Sequence, residues 1–242
     1  MTEQLHRLGV LISGSGSTAE ALCIATQTGR LPLEIGCVIA SIPTAGGIER
    51  LANLGFPRED IVVVNPEDFM GDDEEVDQFG FGQTINQTFK NRGITAVSQN
   101  GWLPLTPEVV IDEWEGVIFN QHPGPKYETR GTHGIQPHAI MIYLYRETGR
   151  NHGTNVIIHR VNENWDDGAT VARVWVPIYK SDSPRLLQKR AIKAEHGLQI
   201  KHWNTFIRRE VQEIKDQRYI QDGEKELLRR IRKQARKIYP FG

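Results

Sequence analysis

Cysteine is nearly absent: Cys23 and Cys37 are the only two in 242 residues. Their spacing has neither metal-ligand nor redox-motif form, so a thiol metal site or disulfide scaffold is excluded, and both are expected in the core, one on a helix and one on a strand. No apolar run reaches the roughly 20 residues of a spanning helix, so no membrane segment is expected. Charge of one sign is also missing, since 29 basic and 30 acidic residues leave a net −1 and no global field toward nucleic acid. The opening MTEQLHRLGVLISG lacks the basic segment, long apolar core and cleavage site of a secretory leader, and a cytoplasmic location is expected. What remains, 38% hydrophobic and 24% charged, is a globular composition suited to a small-molecule partner.

Near-continuous apolar runs alternate with helix-length stretches through the first half. The runs are Leu8 to Ile12, Glu34 to Ala40, Ile61 to Val64, Ile94 to Ser98 and Gly116 to Phe119. Strands of this kind are covered on both faces, which predicts an open, mostly parallel α/β sheet. The stretches between them, Thr18 to Gly29, Ala45 to Gly55 and Val76 to Gly93, each end in glycine, a helix terminator. Val156 to Val161 and Ala169 to Ile178 flank the polar turn NENWDDG and predict an antiparallel hairpin that extends the sheet. Ser181-Asp-Ser-Pro184 starts a helix expected to run to about Arg209. Residues 1–210 thus read as one domain and 211–242 as a basic tail, helical over Gly223 to Lys237, with Leu227, Leu228, Ile231 and Ala235 on one face. Packing of that helix on the body is the favoured reading; an RNA-facing or partner-facing role is the other.

Two constellations carry chemistry. Gly14-Ser-Gly-Ser-Thr18 joins the first strand to the first helix, so free backbone N–H groups and the positive helix end converge in a phosphate seat. A dinucleotide fold would also need an acidic residue at the carboxyl end of the second strand, whereas Glu34 sits at its beginning and the far end reads Ala40-Ser41. Farther on, the fifth strand delivers Asn120 and His122 to the edge where open α/β sheets bind ligands. Residues i and i+2 of an extended segment share a side, so a carboxamide and an imidazole can act on one carbonyl. Asp166 and Asp167 of the hairpin turn offer the carboxylate that acyl transfer to an amine needs.

These residues resemble a known family. LISGSGST, NGWLPLTPEVV, FNQHPGP, HGTNV, HRVNENWDDG, WVPIYKSDS and AEH stand in the order and near the spacing of the glycinamide ribonucleotide transformylases, formyltetrahydrofolate-dependent formyltransferases. The resemblance covers about residues 8 to 207. It implies a Rossmann-type formyltransferase fold in which Asn120 donates to the formyl oxygen, His122 is its partner, and Asp166, favoured over Asp167 by the ungapped spacing from His159, is the carboxylate. It further implies that Gly16, Ser17 and Thr18 hold a 5′-phosphate, Glu195 the ribose hydroxyls, and Gly101, Trp102, Leu103 and Leu105 the pterin, with His159 behind the site. The co-substrate implied is 10-formyltetrahydrofolate, the acceptor the amine of glycinamide ribonucleotide in purine biosynthesis, the assembly a monomer or homodimer. Departures from the pattern are Thr18 in place of asparagine, Pro104 in place of a basic residue, and Gly124-Pro-Lys-Tyr127 in place of Ser-Leu-Leu-Pro, within an unusual loop over 124–138.

Rival readings are a nucleotide-linked amino sugar as acceptor, a nicotinamide-dependent oxidoreductase using Gly14 to Gly16, and a non-catalytic folate or nucleotide sensor. His133, His138 and His152 lack helical metal-pair spacing and no metal is expected. Trp114, Trp175 and Trp203 are expected as core or cover.

Overall fold

The computed structural model describes residues 6–242, so the first five residues of the stretch read for a leader lie outside the described residues. Five parallel strands form first: β1 Arg7–Ile12, β2 Glu34–Ala40, β3 Ile61–Val63, β4 Ala96–Gln99 and β5 Ile118–His122. Two antiparallel strands, β6 Thr154–Arg160 and β7 Thr170–Val176, complete a seven-stranded sheet in the order β3-β2-β1-β4-β5-β6-β7. The predicted α/β class and hairpin extension are both present.

The helices are α1 Ser17–Gln27, α2 Gly46–Asn53, α3 Gln78–Lys90, α4 Glu108–Glu113, α5 Lys126–Thr129, α6 Gln136–Thr148, α7 Pro184–Ile207 and α8 Lys225–Ile238. Alternation along β1 shows why its apolar run is continuous. Leu8, Val10 and Ile12 join the core that includes α1, α6, α7 and α8, while Leu11 joins the one built by α3 and α4. Both cysteines are buried and free, and burial pushes each thiol up to about 12. Helix α7 starts at Pro184 because the Ser183 hydroxyl accepts the Leu186 N–H at 3.3 Å and proline needs no partner in the first turn.

Three local expectations shift. β5 was expected to end at Phe119 but runs to His122, because β6 pairs with it residue for residue, Asn120 with His159 and His122 with Ile157. Helix α6 begins inside the stretch read as loop, with proline in its first turn and Gly149 ending it at φ 69°. Trp114 and Trp203 are buried, but Trp175 is 58% exposed, its indole N–H donating to the His152 carbonyl at 2.9 Å.

The stretch after α7 lies across the antiparallel edge. The Ile214 N–H donates to the Thr170 carbonyl at 2.8 Å, Arg173 to the Lys215 carbonyl at 3.1 Å, and Asn155 to the Gln217 side chain at 3.1 Å. Leu228, Ile231 and Ala235 of α8 are then buried, with α8 against α6, while Leu227 is only partly covered.

Gly9 tests the packing of β1 on α3. A Cβ there would sit 2.7 Å from the Phe89 ring. Gly9→Ala should therefore destabilise the fold by about 1–3 kcal/mol through overpacking, read as a lower urea midpoint at unchanged slope; an unmoved midpoint would refute this close approach.

Candidate active site

The strand order reverses between β1 and β4, so the connections leaving their carboxyl ends run in opposite directions and open a crevice. A cavity of about 870 Å³ lies there, lined by the glycine loop, the turn after β4, the end of β5, the hairpin turn and α7. Gly16, Ser17, Thr18, Gly101, Trp102, Leu103, Leu105, Asn120, His122, His159, Asp166 and Glu195 all line it.

At the glycine loop, Gly16 adopts φ 67° and caps α1 without a side-chain hydrogen bond, leaving the first amides of the helix open toward the cavity. Glycine is required twice over here, since a Cβ on Gly16 would also lie 2.5 Å from the Gly47 Cα. Arg50 anchors the loop by donating to the Ser15 carbonyl at 2.8 Å while pairing with Glu20 at 2.7 Å. Ser13 joins the loop to the next wall: its hydroxyl oxygen accepts the Leu103 N–H at 2.9 Å and the Ser41 hydroxyl at 2.7 Å. Leu103 and Leu105 remain 46% and 41% exposed, an apolar wall fit to cover a flat ring. Trp102 is buried and stacks on Phe81 at 6.2 Å, so it backs that wall.

Asn120, His122 and His159 meet on one carboxylate. Asn120 Nδ2 donates to Asp166 Oδ1 at 3.2 Å, His122 Nδ1 lies 3.2 Å from Oδ2, His159 Nε2 lies 3.5 Å from Oδ1, and the Gly131 N–H donates to Oδ2 at 3.0 Å. Burial alone would raise the Asp166 carboxyl; the charge and hydrogen bond of His122, with help from His159 and the Gly131 amide, hold it far below the usual carboxylate range. Asp166 also sits at φ 49°, a left-handed conformation that aspartate adopts more readily than most residues. Asp167 turns outward to pair with Arg130.

The partners assign the ring protons. His159 Nδ1 faces the Arg160 carbonyl at 2.7 Å and must donate, while its Nε2 stands between Asn120 Nδ2 at 3.2 Å and Asp166 Oδ1 at 3.5 Å. The single Thr129 hydroxyl proton goes to the Pro125 carbonyl at 2.9 Å, so His122 Nε2 donates to Thr129 Oγ1 at 2.8 Å. Both faces of the imidazole are thereby engaged, and the Asn120 nitrogen is turned inward. Thr129 and Arg130 carry no sequence signal, because they fall in a stretch without periodicity; Arg130 lines the cavity, as do His138, weighed from sequence only as a metal ligand, and, from the C-terminal segment, Arg236 and Phe241. His138 is fully buried, and burial first, then the charge of His122, depresses its imidazole to about 3. Among the described residues no group of three or more histidines, cysteines or acids converges as metal ligands, and no helix is long and apolar enough to cross a membrane.

Glu195, 6% exposed on α7, is pushed up to about 7 by burial, against the lowering effect of a hydrogen bond from Gln121. A raised acid costs stability wherever the unfolded chain ionises and the folded one does not, that is, increasingly from pH 4.5 to about 7 and constantly above. Glu195→Gln should therefore leave stability unchanged near pH 4 and raise it at pH 8 by on the order of 3 kcal/mol. Denaturation at the two pH values checks this; a pH-independent difference would contradict it.

The chain is 28% identical over 194 residues to the trifunctional purine biosynthetic protein adenosine-3 of Chironomus tentans, covering 78% of this chain but only 13% of that protein's length. It is 27% identical over 197 residues to phosphoribosylglycinamide formyltransferase of Haemophilus influenzae, covering 80% of this chain and 84% of the relative. Glycinamide ribonucleotide transformylase 1 from Geobacillus kaustophilus superposes with a TM-score of 0.70 at 27% identity, over 84% of this chain and 100% of that one. The profile described as formyl transferase matches residues 6–202, and the chain accordingly belongs to the formyl transferase family.

Proposed function

We propose that the protein transfers a formyl group from 10-formyltetrahydrofolate to the amine of glycinamide ribonucleotide, a step of purine biosynthesis. The observation that carries the reading is the meeting of Asn120, His122 and Asp166 at one cavity wall, between an open helix end and an apolar face, in a chain of this family. The open amides of Gly16 to Thr18 suit a phosphate, and Glu195 suits ribose hydroxyls. The wall at Gly101 to Leu105 suits the pterin ring of the folate, which is consumed as a co-substrate.

In the proposed reaction the acceptor nitrogen bonds to the formyl carbon, whose oxygen takes up the displaced electron pair. Asn120 then exchanges one inward N–H contact for this oxygen, and His122, paired with Asp166, places positive charge beside it. Collapse of the adduct breaks the bond from the formyl carbon to the folate nitrogen. That nitrogen gains the proton that the acceptor amine loses, carried by water beside the Asp166–His122 pair. Holding both reactants in one crevice makes the attack effectively intramolecular. No acid stands at the carboxyl end of β2, where a dinucleotide ribose would need one, which supports folate over a nicotinamide. The compartment we propose is the cytoplasm, and the assembly a monomer or homodimer.

Asn120→Ala and Asp166→Asn should each lower turnover by roughly 10²–10³-fold, the cost of losing a preorganised oxyanion donor or its support, with nucleotide affinity changed only a few-fold. Absorbance of the folate product reports turnover, and normal rates in either variant would remove this site. In thermal-shift measurements glycinamide ribonucleotide should stabilise the protein while nucleotide-linked amino sugars and NADH leave it unmoved. Stabilisation by an amino sugar alone would transfer the acceptor assignment to that class.

A further inference from the structure

The short stretch from Tyr127 to Gly131 faces two ways. Toward the cavity, Thr129 Oγ1 accepts from His122 Nε2 at 2.8 Å and the Gly131 N–H donates to Asp166 at 3.0 Å. Away from it, the Tyr127 and Glu128 carbonyls accept from Arg232 at 2.6 and 2.8 Å, and the Gly131 carbonyl accepts from Arg236 at 3.1 Å. The Glu128 carboxylate, fully buried, accepts the Tyr219 and Ile220 N–H groups at 2.6 and 3.1 Å. A four-residue helix cannot sustain its own conformation, because so short a segment lies below the length at which helix formation is self-supporting. Its external hydrogen bonds must supply what its length does not.

Those bonds come from residues 219–236, which lie beyond the segment 6–202 shared with the family. The stretch they grip follows His122-Pro123 in the connection between β5 and α6. Two segments distant in sequence are therefore one structural unit. We infer that the C-terminal segment is a positioning element of the active site: Arg232, Arg236 and the amides received by Glu128 hold the 127–131 stretch so that Thr129 fixes the His122 ring and the Gly131 amide fixes Asp166. Thr129, Glu128 and Arg232 are positioning residues, since they act on the reaction only through His122 and Asp166. This assigns the basic helix a role within the site.

The inference rests on the formyl-transfer reading, and the test separates the two. Thr129→Val, Thr129→Ser and Arg232→Ala are made in the full chain, with His122→Ala as reference. Thr129→Val should lower kcat by roughly 10- to 100-fold, the scale expected when a catalytic group is displaced by about 1 Å, with KM for both substrates changed only a few-fold. Arg232→Ala should lower kcat by about tenfold on the same scale, and Thr129→Ser, which keeps the hydroxyl, should stay close to the parent protein. In the ligand-free protein, the ring nitrogen resonances of His122 should move in Thr129→Val and Arg232→Ala but hold in Thr129→Ser, which a merely structural role would not produce. If Thr129→Val does not fold, Arg232→Ala carries the test. Parental kcat and parental His122 resonances in a folded Arg232→Ala overturn the inference while leaving the formyl-transfer reading intact, provided His122→Ala is inactive. Absence of formyl transfer by the unaltered protein overturns that reading instead, and the resonances still decide whether the C-terminal segment positions His122.

Discussion

A carboxylate buried in the wall of the cavity sets the terms for everything around it. Taking an ionised group out of water costs several kcal/mol unless hydrogen bonds and opposite charge replace its hydration. Asp166 receives that replacement from the β5 side chains Asn120 and His122, from His159 on β6, and from the Gly131 amide. Separate segments of the chain are thus held to one point, and a left-handed backbone at Asp166 is tolerated to bring its carboxylate there. The same convergence that stabilises the anion orients the carboxamide and the imidazole.

The sheet supplies the frame. Reversal of strand order between β1 and β4 opens the crevice, and antiparallel pairing of β6 lengthens β5 so that Asn120 and His122 stand on a strand instead of in a flexible loop. Residues on a paired strand are held more tightly than loop residues, which suits the role proposed for Asn120 and His122. Ser13 performs a comparable service at the other wall, tying the glycine loop and the Leu103 turn through one hydroxyl. The glycine loop and the apolar wall are consequently tied together along one edge of the sheet.

Partition of charge between neighbours also follows from placement. Asp166 and Asp167 are adjacent, yet one is enclosed by histidines and the other pairs with Arg130 at the surface. Glu195 and Glu128 are both buried carboxyls raised by desolvation, but the first faces the cavity and the second receives the amides of the C-terminal segment. Equal residue types thereby acquire different duties from the polarity of their surroundings.

Local pattern in the chain was enough to establish the class of fold, because continuous apolar runs such as Leu8 to Ile12 can only be strands covered on both faces, and Gly16 between strand and helix can only be a tight, amide-rich turn. It was enough, too, to place Asn120 and His122 on a common side at the ligand-binding edge and to nominate Asp166 with its neighbour. The end of β5, the start of α6, the exposure of Trp175 and the different surroundings of Asp166 and Asp167 were decided by tertiary structure, since each depends on a partner supplied by a distant element. The contacts around Tyr127 to Gly131 make the reason plain: Glu128 meets Tyr219 across 91 residues and Arg232 meets Glu128 across 104. Periodicity reports which face of an element is buried; only packing determines which donor and which acceptor are brought within hydrogen-bonding distance.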